Sequence, residues 1–366
     1  MKVLFVYKYL TLGGVEAVLR ARLDGLAPAG IEAHAWFFHD YGGRSIFHGR
    51  EDRLHVGPVE ECLRFARREG FDLLSSIDSE EVLPGFVGAA ERPRRPRLIM
   101  ECHSAYLANI EYLRGLAAYR PAAVFTPSEG QGRLVLERLG QGQGQGMMGI
   151  EVRVVPNPLR QEFVAAPPPF SAPPPHPVIA WIGRLDEHKN WVGFLEIAGL
   201  LSRRGVDHEA WILGKPVEAG GAARLLGKAR EEKVLRRLRW FGALPYGRIP
   251  LFLDAVRDSG GVVVSTSRGE SFGLTIAEAM ARRCAVAAPD QSPFPELVER
   301  GRTGSLFTPG SAPAAADRIQ ELLADPDLRT AFGQRARESI LARFAPEPAL
   351  AVLVQELRRA AGPCPP

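Results

Sequence analysis

Between Ala165 and Pro177 the chain places prolines at positions 167, 168, 169, 173, 174, 175 and 177. Proline lacks a backbone N–H and fixes φ, so such a stretch carries neither a helix interior nor a central strand. It predicts a semi-rigid connector and a domain boundary. On both sides of it one pattern repeats: a short apolar run, a turn, then apolar residues at helical spacing. That alternation belongs to a parallel sheet flanked by helices, the doubly wound α/β class. A length of 366 residues also exceeds the size at which one core keeps growing. The expected division is a first α/β domain over residues 1–165, a linker over 166–177 and a second domain over 178–345. A last helix, 346–366, is expected to fold back toward the first domain.

In the first half, Lys2 to Tyr7 reads as a strand, followed by Gly13-Gly14-Val15-Glu16. Beyond the glycines, Val15, Val18, Leu19, Leu23 and Leu26 recur at helical spacing. Two glycines let a backbone approach a ligand closely, and a helix start favours an anion; a plain tight turn fits the same residues. The pair is not the G-x-G-x-x-G dinucleotide fingerprint. Further strands are expected at Ile31–Phe38, Phe71–Ser75, Leu98–Cys102, Ala122–Phe125 and Val152–Val155, with helices near 59–69, 80–90, 106–118 and 129–139. In this class ligands gather at the carboxyl ends of the strands. His103 follows Leu98–Cys102, where it is either a hydrogen-bonding group of a site or the cap of the next helix. The run Gln141 to Gly146 reads as a flexible surface loop.

In the second half the strand Val178–Ile182 runs into Gly183-Arg184-Leu185-Asp186-Glu187-His188-Lys189-Asn190, then a helix from Trp191 to Arg203. Arg184 and Lys189 flank that loop. An arginine fork and a lysine point charge suit a diphosphate without a metal; two solvated loop charges fit as well. Strands are also expected at Glu209–Leu213, Leu238–Phe241, Val262–Val264 and Cys284–Ala288, with a last one from Gly304 to Phe307.

After Val262–Val264 comes Ser265 to Ala281, containing Glu270-Ser271-Phe272-Gly273-Leu274 and, further on, Glu278. A buried strand, a glycine turn and a helix beginning near Gly273 offer unpaired amides and a positive dipole end. Glu278, inside that helix, has two acceptor oxygens suited to a vicinal diol. Glu270 sits on the loop beside whatever the anion carries. Each acid alone fits an ordinary wet surface; the combination marks a site.

Composition excludes several classes. The longest apolar runs fall short of the roughly 18 residues that span a bilayer, and Val3–Tyr7 is too short for a secretory signal core, so a cytoplasmic protein is expected. Four scattered cysteines, Cys62, Cys102, Cys284 and Cys364, make neither a zinc site nor a disulfide framework. A net charge of +4 is no nucleic-acid signature. The cluster Arg92, Arg94, Arg95 and Arg97 suits either a solvated loop or peripheral contact with anionic lipid at the inner membrane face.

Gly13-Gly14, His103, Val154-Val155-Pro156-Asn157, Gly183-Arg184-Leu185 with Lys189-Asn190, Glu270 to Leu274 through Glu278, and Pro295-Glu296-Leu297-Val298 with Gly304 occur in an order that resembles the retaining family 4 glycosyltransferases, glycosyl transferases group 1. The resemblance implies the GT-B fold, two Rossmann-like domains facing across a cleft, the first binding the acceptor and the second the nucleotide-sugar. It implies that Arg184 and Lys189 hold the donor diphosphate, helped by the backbone of Ser271, Phe272, Gly273 and Leu274 and by the Gly13-Gly14 loop. Glu278 would bind the ribose, Glu270 the donor sugar, and His103 would sit near the reacting sugar. The Gly242 to Leu244 loop would lie against the base. No cofactor or metal is implied beyond the donor, with UDP or GDP the expected carrier. The acceptor, whether polysaccharide, lipid-linked glycan or small metabolite, is not specified.

The implied chemistry is sugar transfer to an acceptor hydroxyl with retention at the anomeric carbon. Its burden is stabilising charge on the departing diphosphate. Two alternatives keep the same architecture: a nucleotide-sugar 2-epimerase, recognised by donor conversion without acceptor, and a non-catalytic nucleotide-sugar-binding subunit, recognised by binding without turnover. A two-carboxylate glycosidase leaves Arg184 and Lys189 with no phosphate to serve.

Overall fold

The computed structural model describes residues 1–86, 95–140, 150–165 and 172–362. The chain divides into two compact units, Met1–Arg160 together with Phe344–Pro366, and Gln161–Arg343. The division falls after Arg160, ahead of Ala165. Its cause is local: Arg282 donates to the carbonyls of Glu162 and Ala165 at 3.2 and 2.7 Å, which fastens this short stretch to the second unit. Prolines 167 to 169 lie outside the described residues, as does the Gln141 to Gly146 run.

The first unit holds β1 (Lys2–Leu10), β2 (Glu32–Asp40), β3 (Leu54–Val56), β4 (Leu73–Ile77), β5 (Arg97–Glu101), β6 (Ala123–Thr126) and β7 (Val152–Val154), in the order β3-β2-β1-β4-β5-β6-β7. Every pairing is parallel. Its helices include α1 (Gly14–Gly25), α2 (Val59–Arg68) and α3 (Glu129–Gly140). The period of two is visible in β1, which sends Val3 and Phe5 into one buried cluster and Leu4 and Val6 into another. Both faces of the sheet are therefore covered, as a parallel sheet requires.

The second unit repeats the plan with β8 (Val178–Ile182), β9 (Glu209–Leu213), β10 (Leu238–Trp240), β11 (Val262–Val264), β12 (Ala285–Pro289) and β13 (Ser305–Phe307), in the order β10-β9-β8-β11-β12-β13. Around it lie α4 (Gln161–Val164), α5 (Trp191–Arg203), α6 (Gly221–Glu231), α7 (Ile249–Asp258), α8 (Leu274–Ala281), α9 (Phe294–Leu297), α10 (Ala312–Ala324) and α11 (Pro326–Phe344). The last helix, α12 (Pro346–Ala361), packs in the first unit. Leu350, Leu353 and Leu357 join the cluster of Leu19 and Leu23, each worth roughly 1.5–3 kcal/mol of burial. Gly25 allows the approach, since a Cβ there would meet Leu350 Cδ1 at 2.1 Å.

The structure departs from the expected elements in several places. β3 was not anticipated: Leu54-His55-Val56 is too short to show a period, and its edge pairing with β2 makes it a strand. His103 therefore follows the fifth strand, not the fourth. The stretch expected as a helix near 80–90 is 3₁₀ over Glu80–Phe86, where Pro84 lacks the N–H that a continuing α-turn needs. Leu107–Tyr119 is likewise 3₁₀. In each sheet the strand order reverses direction beside the first strand, between β1 and β4 and between β8 and β11. Such switch points open a crevice at the carboxyl ends.

Candidate functional site

In the second unit two loops leave the switch point side by side. One follows β8 and carries Arg184 and Lys189; the other follows β11 and carries Glu270. Thr266 joins them, its Oγ1 donating toward the carbonyls of Lys189 and Asn190 at 3.2 and 2.8 Å while accepting from Trp181 Nε1 at 3.0 Å. The Arg268 amide donates to His188 O at 2.8 Å, a second clamp. Burial pushes the His188 imidazole below its ordinary range. Thr266 and Trp181 were not singled out from sequence; a hydroxyl next to a strand end was the only signal.

With the loops fixed, Lys189 Nζ meets Glu270 Oε1 at 2.5 Å, with both side chains largely shielded from solvent. Arg184 is exposed and donates through Nε to Asp186 Oδ2 at 3.0 Å. Asp186 also accepts the Lys189 amide at 2.7 Å, which shapes the loop. Lys189 and Glu270 are thus brought together, while Arg184 stands at the rim.

The helix start matches the expectation in detail. Gly273 is the N-cap of α8 at φ 86°, and no side chain caps the helix. The amides of Ile276 and Ala277 bond back to Gly273 O; those of Leu274 and Thr275 make no hydrogen bond among the described residues. Lys189, Glu270, Gly273 and Thr275 line one narrow recess with Trp181 and Ser265. Phe272 is buried and Ser271 is half-buried. A larger cavity, about 550 Å³, lies between the starts of α5 and α10. Its lining includes Arg224 and Arg268 with Asp186, Glu187 and Glu196, and none of Arg184, Lys189, Glu270 or Glu278.

Glu278 is buried in α8, and one of its oxygens accepts the Tyr246 hydroxyl. Tyr246 follows the Gly242 to Leu244 loop, so the loop expected near a base is tied to the acid expected near a ribose. Leu244 is half-buried. Tyr246 was missed because a lone tyrosine in a Pro-Gly loop carries no pattern.

In the first unit Gly13 and Gly14 connect β1 to α1, with Gly14 exposed. Glu16 folds back beneath the loop, its Oε1 accepting both the amide and the hydroxyl of Thr11 at 2.5 Å. A Cβ on Gly13 would come within 2.7 Å of Glu16 Oε2, so a larger residue there would make the Glu16 carboxylate shift. Burial raises the Glu16 pKa, opposed by the Thr11 bonds. His103 has its amide bonded to Asp78 Oδ1 at 3.0 Å and its Nε2 to Glu101 Oε2 at 3.1 Å. It is no helix cap. Asp78 is half-buried at φ 43°, and desolvation lifts its carboxyl to about 6 despite the nearby His103.

Arg92 and Arg94 lie outside the described residues, and Arg95 stacks over Phe86 at 4.3 Å. No helix among the described residues is long and apolar enough to cross a membrane. No cluster of three or more His, Cys, Asp or Glu side chains among them suits a metal.

The fold is GT-B, two Rossmann-like units, with the Lys189 and Glu270 loops at the switch point of the second sheet. Residues 167–339 match the family described as glycosyl transferases group 1. The chain is 30% identical over 170 residues to the alpha-D-kanosaminyltransferase of Streptomyces kanamyceticus, covering 46% of this chain and 42% of that protein. It is 32% identical over 172 residues to the lipopolysaccharide core biosynthesis mannosyltransferase LpcC of Rhizobium leguminosarum bv. viciae, with the same coverages, 46% and 42%. The chain thus spans less than half the length of these curated relatives. Among solved structures, Anabaena Alr3699/HepE in complex with UDP and glucose superposes with a TM-score of 0.80 at 19% identity, over 98% of this chain and 99% of that one. Sucrose-phosphate synthase from Thermosynechococcus elongatus gives 0.74 at 20% identity, over 98% of each chain.

Proposed function

We propose that this chain is a retaining glycosyltransferase that moves a sugar from a nucleoside-diphosphate-sugar to an acceptor hydroxyl. The observation that carries the reading is the Lys189–Glu270 pair beside the uncapped start of α8. A cation and a carboxylate beside a helix start with unengaged amides suit a diphosphate joined to a polyhydroxyl group. The match of residues 167–339 to the group 1 family supports this, as do relatives named for sugar transfer and a structural neighbour solved with UDP and glucose. UDP is accordingly the first donor carrier to test.

In this reading the donor phosphates compete with Glu270 for Lys189. Arg184 swings from Asp186 to join Lys189, and the Leu274 and Thr275 amides take the remaining charge. Glu270, released from Lys189, turns to the sugar hydroxyls. Glu278 and Tyr246 receive the ribose, and Leu244 flanks the base. The bond from the anomeric carbon to the phosphate oxygen breaks as the bond to the acceptor oxygen forms on the same face. The acceptor proton passes to the departing phosphate. Charge stabilisation by fixed cations and dipoles lowers the barrier, and no metal is assigned a part.

A thermal-shift panel of UDP, GDP, ADP and dTDP tests the donor site, since a ligand of the folded state raises its melting temperature. Arg184→Ala/Lys189→Ala is expected to abolish that shift and transfer together. Full turnover in the double variant would sink the proposal, and inversion at the anomeric carbon would sink its stereochemistry.

A further inference from the structure

Glu101, the last residue of β5, and Arg22 of α1 form an ion pair with both side chains fully buried. Each carboxylate oxygen serves two donors. Oε1 accepts Arg22 Nη1 at 2.8 Å and Ser75 Oγ at 2.6 Å. Oε2 accepts Arg22 Nη2 at 2.9 Å and His103 Nε2 at 3.1 Å. Burial alone would raise this carboxyl, but the Arg22 guanidinium and the bonds from His103 and Arg22 hold it well below the usual carboxylate range.

An ionised carboxylate accepts and never donates. The proton facing it therefore sits on His103 Nε2, and in the neutral ring Nδ1 is left bare. Nδ1 makes no hydrogen bond to any described residue. The backbone of His103 is held separately, through Asp78 Oδ1. Arg22 also belongs to the helix that starts at Gly14, so one ion pair links the Gly13-Gly14 loop to His103. Resting on the transfer reading above, the geometry points to Glu101 and Arg22 as positioning residues that fix His103 as its Nε2–H tautomer and leave Nδ1 as the ring's acceptor for a substrate hydroxyl.

A buried ion pair broken on one side is strongly destabilising, so the test removes both charges at once. Arg22→Met/Glu101→Gln keeps a carbonyl oxygen that can accept from His103 Nε2; Arg22→Met/Glu101→Leu keeps none. Imidazole nitrogen shifts of histidine-labelled protein report the tautomer without any substrate. The expected result is Nε2–H in the wild type and the Gln variant, and loss of that preference in the Leu variant. With UDP-glucose as probe, the release rate of UDP in the Leu variant should fall on the order of tenfold below that of the Gln variant. The thermal shift by UDP should be equal in both. A wild-type ring in the Nδ1–H form, or one tautomer shared by both variants, overturns the assignment; the wild-type spectrum decides even if neither variant folds. Absence of UDP-glucose turnover in the wild type counts against the functional reading and leaves the tautomer result intact.

Discussion

Gly273→Ala tests whether the start of α8 is built as described. At φ 86° an alanine pays roughly 1–2 kcal/mol for the left-handed region. Its Cβ would also lie 3.1 Å from Phe294 Cε1 and 3.2 Å from Leu297 Cδ1. Both neighbours are buried, at 0% and 2% exposure, so they have little room to yield. Overpacking of this kind costs about 1–3 kcal/mol. The sum is about 2–5 kcal/mol, and for a unit of this size each kcal/mol moves the melting temperature by roughly 2–4 °C. Gly301→Ala is the control: its φ is 71°, but nothing lies within 4 Å of the added carbon. It carries the conformational cost alone. Differential scanning calorimetry should place Gly273→Ala clearly below Gly301→Ala, and UDP should stabilise Gly301→Ala but scarcely Gly273→Ala. Equal melting temperatures would refute the packing argument, and an undiminished UDP shift would refute the role of the α8 amides.

Glu278→Ala should mainly weaken donor binding and Glu270→Ala mainly lower turnover; the reverse split between KM and kcat would show the two roles to be exchanged. Asp78 gives a pH signature. Its folded carboxyl is raised from 3.8 to about 6 by burial, so its contribution is full below 3.8 and is lost as pH rises through 6. Asp78→Asn should therefore gain on the wild type between about pH 4 and 6, by up to roughly 3 kcal/mol, and keep a constant lead above that. Parallel melting curves across that window would refute it. Tyr246→Phe should cost about 1–3 kcal/mol of stability by leaving the buried Glu278 short of a donor, measured by urea unfolding; no change would show that the bond is idle. Transfer should survive an excess of EDTA, and loss of activity restored by a divalent cation would overturn the assignment of phosphate charge to Arg184, Lys189 and the helix start.

The sequence alone determined the two-unit α/β plan, because strand and helix periods are local and proline interrupts them visibly. It also marked the loops to which the proposed function assigns an anion. Gly13-Gly14, Arg184, Lys189, Gly273 and Glu278 follow strand ends, and a helix start announces itself by a glycine and the apolar period after it. What it left open was partnership. That Glu270 pairs with Lys189, 81 positions away, depends on β8 and β11 lying side by side. Likewise Arg22, Glu101 and His103 meet only because α1 packs against the sheet where β5 ends. Thr266, Tyr246 and Glu16 carried no signal of their own, being single polar residues whose roles arise from what faces them. Periodicity encodes which face of an element is buried; it does not encode which buried charge finds which. That choice belongs to strand order, set when the whole sheet closes its core.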